Sequence, residues 1–371
     1  MESSVTIVKI WGIPIDLHLS WFLVFALITW SLAVGYFPAE YPELTPAVFW
    51  FLATVTSVLF FGSVLLHELG HSVLALRNNI PVHSITLFIF GGIARISREP
   101  PNPGVEFRIA IAGPLTSLAL AAAFFGLWQL DQHVPYLAAP SLWLARINFL
   151  LATFNMIPGF PLDGGRILRS VVWKFTGNYL RSTQVATFSG QLVAFGFIGL
   201  GIFTVLSGNF FNGLWLVFIG WFLQNAAAAS YAQANLRQLL KGVKVSQVMS
   251  TECTRVPGRL PISRLVNDYV LNGGNRCFLV TEGDRLRGIL TLRDIGAAPR
   301  ADWDQVTTSE MMLPWEKLIR VNPEMELMEA LQKMDDSNVA QVPVVTNGHL
   351  VGMLSREQIL HYIRLRGEIG V

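Results

Sequence analysis

Leu65-Leu66-His67-Glu68-Leu69-Gly70-His71-Ser72 places two imidazoles four residues apart, with a carboxylate directly after the first. On a helix such residues lie one above the other, so His67 and His71 project from one face at a separation suited to a single tetrahedral zinc. Zinc lowers the pKa of a water in its open position to about 7. Glu68 can reach that water and take its proton as it attacks a carbonyl. The H-E-x-x-H string also arises by chance in soluble helices. Here its neighbours are apolar, and two His and a Glu at membrane depth are costly unless a partner or cavity receives them. A zinc ion is such a partner.

A catalytic zinc keeps three protein ligands and an open position, so a third ligand is expected elsewhere. The candidate lies in Asn155-Met156-Ile157-Pro158-Gly159-Phe160-Pro161-Leu162-Asp163-Gly164-Gly165-Arg166. Pro158 and Pro161 end a helix, and irregular backbone at this depth is tolerated only where it is buried in protein or lines a watery cavity. Asp163 then reads equally as an oxygen ligand at an unwound point or as the N-cap of the helix that follows.

The elements that must position these groups are membrane helices. The chain has 371 residues, 52% of them hydrophobic, and a mean hydropathy of +0.46, too apolar for an ordinary soluble protein. A net charge of +2 with 14% charged residues gives no basic field for nucleic acid. Spanning a bilayer takes roughly 20 apolar residues, and six such segments occur: Leu17 to Phe37, Ala47 to Leu76, Ile109 to Leu130, Ser141 to Ile157, Val185 to Leu206 and Phe210 to Tyr231. The first follows a single basic residue, Lys9, and reads as a retained helix, since it is longer than a signal-peptide core. Ile80 to Ile96, rich in Ile, Val, Thr and Phe and broken by Gly91-Gly92, suits a small membrane-associated β-hairpin. The connections after the first, third and fifth spans lack Lys and Arg. The alternate ones contain Arg77, Arg95, Arg98 and Arg108, then Arg166, Arg169, Lys174 and Arg181. The positive-inside rule therefore predicts cytoplasmic termini. Arg146, near the outer boundary of the fourth span, reads as snorkelling to the interface or as paired in the interior.

Beyond about Lys241 the sequence turns polar and repeats itself. Leu279-Val280 followed by Arg287-Gly288-Ile289-Leu290-Thr291-Leu292-Arg293-Asp294 is echoed by Pro343-Val344 followed by Val351-Gly352-Met353-Leu354-Ser355-Arg356-Glu357-Gln358, about 64 residues on. Ser246-Gln247-Val248-Met249 is echoed by Ser309-Glu310-Met311-Met312. The period is too long for a solenoid and indicates two copies of a small α/β unit. It resembles a pair of CBS modules, the regulatory units named after cystathionine β-synthase. The predicted fold is thus a multi-pass α-helical membrane domain of six transmembrane helices with a β-hairpin, followed by a soluble α/β tandem CBS pair. Its expected limits are residues 1–235, then 243–299 and 306–366 for the two modules. Cys253 and Cys277 fall in this part and read as ordinary reduced cytosolic thiols, neither a disulfide framework nor a metal site.

Taken together, the motifs resemble the site-2 protease family of intramembrane metalloproteases. His67-Glu68-Leu69-Gly70-His71 matches that family's first motif, and Asn155 through Asp163-Gly164 its second. The match runs through all six spans, including Gly91-Gly92 and Ala112-Gly113-Pro114. The resemblance implies one Zn2+ held by His67, His71 and Asp163, Glu68 as general base, and Asn155 as a polar group holding the substrate carbonyl or its developing oxyanion; Asn155 also reads as an ordinary intrahelical contact. It implies a membrane-spanning protein substrate, an anti-sigma factor or a membrane-tethered transcription factor, in a bacterial plasma membrane. An edge strand between Val82 and Ile96 is expected to pair with the unwound substrate.

In the CBS pattern a hydroxyl and a carboxylate meet the phosphate and ribose of an adenine nucleotide such as ATP, and Thr291 and Asp294 fit it. In the second copy Ser355 keeps the hydroxyl but Gln358 replaces the acid. Thr291 and Asp294 read equally as a helix cap, and the pair could equally serve homodimerisation. The reading from another class is a CBS-regulated transporter or channel, which has no need of His67, Glu68 and His71 together with a remote Asp163. His83 lacks metal spacing and reads as a surface residue, and His18, His133, His349 and His361 are similarly isolated.

Overall fold

The computed structural model describes residues 4–369 except 90, 131, 252, 276, 284, 298 and 338, and it separates into two compact units between Ala234 and Asn235. Asp131, where an outer connection was expected to begin, and Phe90, inside the expected hairpin, lie outside the described residues.

The first unit opens with strands β1 (Ser4–Ile10) and β2 (Ile13–His18), an antiparallel pair turned by Trp11 and Gly12, both at positive φ. Two central residues at positive φ match the right-handed twist of the strands they join. Among the described residues, six helices long and apolar enough to cross a membrane follow: α1 (Leu19–Glu40), α2 (Pro46–Arg77), α3 (Pro103–Leu130), α4 (Pro135–Asn155), α6 (Tyr179–Leu206) and α7 (Phe210–Leu240). The shorter, strongly amphipathic α5 (Asp163–Thr176) lies between α4 and α6 and ends at Gly177 in the left-handed conformation that closes helices. Large apolar side chains such as Leu206 and Phe211 are more than four-fifths exposed, as expected where the surroundings are lipid rather than water.

Several boundaries differ from expectation: the third helix starts at Pro103 rather than Ile109, the sixth runs to Leu240 rather than Tyr231, and two further starts differ as well. The fourth helix begins at Pro135 and carries Pro140 inside it, because one proline near a helix start forfeits only one hydrogen bond. The fifth spanning helix starts at Tyr179 rather than near Val185, because the polar Ser182 and Thr183 are fully buried against its neighbours. The expected hairpin is present as β3 (Val82–Phe88) and β4 (Gly91–Ile96), but it is half of a larger sheet. Strand order is β1-β2-β3-β4, with β2 parallel to β3, so β4 is an edge strand.

In the second unit, β5 (Thr254–Pro257) lies parallel to β6 (Cys277–Glu282), which pairs antiparallel with β7 (Arg285–Thr291). The second copy repeats this: Val321 bridges in parallel to β9 (Gln341–Thr346), which pairs antiparallel with β10 (His349–Ser355). Between them β8 (Leu313–Pro314) adds to β7. Leu240, Val243 and Val245 enter the core of the second copy with Leu327, Val344 and Leu354. Val306, Met311 and Met312 enter that of the first, with Phe278, Val280 and Leu290. Each repeated Ser-x-x-Met segment thus packs beside the core of the other copy, a reciprocal exchange that ties the pair into one body.

Candidate metal centre

His67 and His71 lie on the buried face of α2, each only 4% exposed. Their Nε2 atoms are 3.3 Å apart, and Oδ2 of Asp163 is 3.2 Å from both. Among the described residues these three form the one cluster of ligand-type side chains with atoms this close together. For bonds of about 2.0–2.1 Å to a tetrahedral zinc, neighbouring ligand atoms stand about 3.3 Å apart. The donor set and its spacing therefore fit one zinc ion with a corner left open.

The imidazoles are fixed from behind. Nδ1 of His67 is 2.9 Å from Oγ of Ser117, and Nδ1 of His71 is 2.7 Å from the carbonyl oxygen of Ile109, both on α3. Occupying Nδ1 in this way turns Nε2 of each ring toward the common point. Helix α3 can approach so closely because position 113 lacks a side chain: a Cβ there would lie 2.1 Å from Nε2 of His71 and 2.6 Å from that of His67. Ser117, one turn beyond Gly113, is a residue the sequence reading did not single out. Its signal was a hydroxyl on the same face of an apolar helix as Gly113.

Asp163 is the first residue of α5; Leu162 holds the N-cap position and makes no side-chain cap bond. The carboxylate thus faces the imidazoles instead of capping its own helix, while the helix dipole still favours a negative charge there. Burial alone would raise the Asp163 carboxyl, but the His71 and His67 imidazoles hold it well below the usual carboxylate range. The irregular segment before it is satisfied by protein: Phe160 N–H donates to Ala186 O on α6 (3.1 Å), Leu162 N–H to Gly159 O (3.1 Å), and Ser189 Oγ–H to Pro158 O.

Behind Asp163, Arg169 is 5% exposed. Its Nε donates to Oε1 of Glu106 on α3 at 2.6 Å and its Nη1 to the Tyr179 hydroxyl at 2.7 Å, while the guanidinium sits over the Phe160 and Tyr179 rings. Arg169, counted from sequence among the basic connections, is thus buried and paired.

The ligand triangle opens into a cavity of about 490 Å³ lined also by Glu68, Asn155, Arg166 and the β4 residues Gly92 and Ile93. Glu68 is half-buried and packs against β4 so closely that a Cβ at Gly92 would lie 2.5 Å from its Cγ. Asn155, the last residue of α4, donates from Nδ2 to Leu151 O at 3.1 Å, which leaves its second amide hydrogen and its Oδ1 for another partner. Glu68, Asn155 and the three ligand-type residues therefore share one cavity.

Thr291 and Asp294 belong to the other unit. The Thr291 N–H and hydroxyl both donate to Oδ2 of Asp294, at 2.9 and 2.7 Å, capping helix α8 (Leu292–Ala297). Ser355 and Gln358 form the equivalent cap in the second copy and border a cavity of about 430 Å³.

Comparison with known proteins places the chain in a family. The model of Peptidase family M50 matches residues 55–134 and 132–199, and the CBS domain model matches residues 309–365. A protein of Synechocystis sp. named as a zinc metalloprotease is 36% identical over 367 residues, 97% of this chain and 95% of its own. The zinc metalloprotease MJ0392 of Methanocaldococcus jannaschii is 30% identical over 362 residues, 97% of this chain and 96% of its own. The solved site-2 protease of M. jannaschii is 32% identical and covers 62% of this chain and 95% of its own, with a TM-score of 0.42.

Proposed function

Because this chain belongs to Peptidase family M50, the site-2 protease family of zinc metalloproteases, and is an integral membrane protein with a CBS region, we propose that it cleaves the transmembrane segment of a membrane-tethered regulatory protein at the His67, His71 and Asp163 centre. The observation that carries the reading is the triangle of two Nε2 atoms and one Oδ2 at 3.2–3.3 Å, opening into a cavity shared with Glu68.

His67, His71 and Asp163 would hold the zinc. When bound, it supplies a Lewis acid and lowers the pKa of a coordinated water. Glu68 takes the proton of the attacking water and delivers it to the amide nitrogen that leaves. The free amide hydrogen of Asn155 donates to the carbonyl oxygen as charge builds on it, the task of an oxyanion-hole donor. A helical substrate hides its carbonyls in its own hydrogen bonds, so it must unwind locally before attack. β4 is the last strand of its sheet and packs beside Glu68, and the unwound segment adds to its outer edge as a further strand. Such a substrate is of the anti-sigma factor or membrane-tethered transcription factor type. The basic connections favour a bacterial plasma-membrane orientation with both termini and the CBS pair in the cytoplasm. An adenine nucleotide meeting Thr291 and Asp294 modulates the cleavage.

The test is cleavage of a single-span substrate in detergent or vesicles by the wild type and by Glu68→Gln. Wild type is expected to cut and Glu68→Gln to retain zinc but lose at least about 100-fold in rate. Undiminished cleavage by Glu68→Gln would falsify the assigned base. Repeating the assay with and without ATP reads the nucleotide effect.

A further inference from the structure

Cys253 and Cys277 are 24 residues apart in sequence, yet their Sγ atoms are 3.0 Å apart. The strand register explains this. Thr254 of β5 pairs in parallel with Phe278 of β6, so one step back sets Cys253 beside Cys277. Neighbouring strands lie roughly 4.8 Å apart, which falls within the Cα separation of about 4.4–6.8 Å that a disulfide spans. Both thiols are half-buried. They pack with Leu279, Ile289 and Met353, where the two copies meet, and both border the cavity of about 430 Å³ that Ser355, Gln358 and His361 line from the second copy. A small solute entering that cavity reaches sulfur.

We propose that Cys253 and Cys277 form a redox-active dithiol, closed by a small soluble disulfide RS–SR such as oxidised glutathione and reopened by a dithiol reductant. The sequence by itself reads the two as ordinary reduced thiols. It rests on the second unit alone and does not depend on the protease assignment. Both sulfurs border the cavity and touch each other, so either can open the exchange and the other close it. Where Cys253 opens it, its thiolate displaces RS– from RS–SR and leaves a mixed disulfide on Cys253. The Cys277 thiolate then attacks Sγ of Cys253, forms the Cys253–Cys277 bond and releases the second RS–. Two S–H bonds are lost, one S–S bond is gained, and the two electrons and two protons leave as two RSH. The closed pair staples the entry of β5 to β6 at the wall of the cavity, so the oxidation state is written where the two copies meet.

The experiment uses the full chain in detergent, treated with oxidised glutathione, trapped with an alkylating agent and mapped by peptide mass. The expected result is a linked Cys253–Cys277 peptide pair lighter by two hydrogens. Alkylatable thiols fall from two per chain to none, and a dithiol reductant restores them. In Cys277→Ser the reaction should stop with glutathione on Cys253. In Cys253→Ser it should stop with glutathione on Cys277. Thiols that stay alkylatable in the wild type, two separate glutathione adducts, or links only between chains would each overturn the proposal.

Discussion

A methyl group at position 113 would lie 2.1 Å from Nε2 of His71, closer than any non-bonded contact allows, so the smallest substitution in α3 acts on the centre itself. Gly113→Ala is expected to abolish zinc retention while leaving the helical content intact, read by metal analysis beside circular dichroism; full zinc occupancy would contradict the placement of α3. Ser117→Ala is subtler. It removes the partner of His67 Nδ1 but no ligand, and outer-shell losses of this kind reduce metal affinity by about 10–100-fold. Competition against a chelator of known affinity measures it, and an unchanged affinity would show that Ser117 does not orient the ring. His67 and His71 were legible in the sequence because helix periodicity alone puts them on one face, and Glu68 because it directly follows the first. Ser117 was not, since nothing local ties a serine 50 residues away to an imidazole.

Helix α5 carries Asp163 to the centre, and its rotation is set by Arg169 on Glu106 of α3. Removing one partner of a buried ion pair leaves an uncompensated charge and costs about 3–5 kcal/mol. Arg169→Ala should therefore lower the unfolding temperature and weaken zinc binding together. The double variant Arg169→Met with Glu106→Gln should recover much of the stability, because neither residue is then charged. Thermal unfolding of the three proteins checks this, and equal destabilisation of single and double variants would count against the pair as the anchor. Strand β4 is tested by placing proline at successive positions of Gly91–Ile96. Where the N–H points outward to the free edge, cleavage of a membrane substrate should fall with little change in zinc content, because proline cannot donate to an added strand. Cleavage unaffected at every position would remove the strand-addition step. Alternating Ile13, Ile15 and Leu17 mark β2 as half-buried, and Trp11-Gly12 marks its turn. That signal was masked because the apolar run of α1 begins immediately beyond it.

For the whole molecule, nucleotide regulation requires that the second unit alter cleavage in the first. Thr291→Ala with Asp294→Asn is expected to remove an ATP effect on substrate cleavage while leaving the ATP-free rate unchanged, measured on the full chain. An ATP effect that survives both changes would move the nucleotide away from the first copy. The sequence by itself determined the membrane class, the six spans, the tandem repeat and the placing of His67 and His71 on one helix face. Each of these is written in short-range periodicity or in segment length, which need no knowledge of what packs against them. Spacing alone left Asp163 open between ligand and cap, because both roles use the same residue at the same helix start, and only the family resemblance implied the ligand. Only the tertiary structure, by packing α3 and α5 against α2, turned that carboxylate to within 3.2 Å of both imidazoles. The same long-range packing buried Arg169, which the sequence had counted as a loop charge, and brought Cys253 beside Cys277 through a strand register that no local pattern encodes.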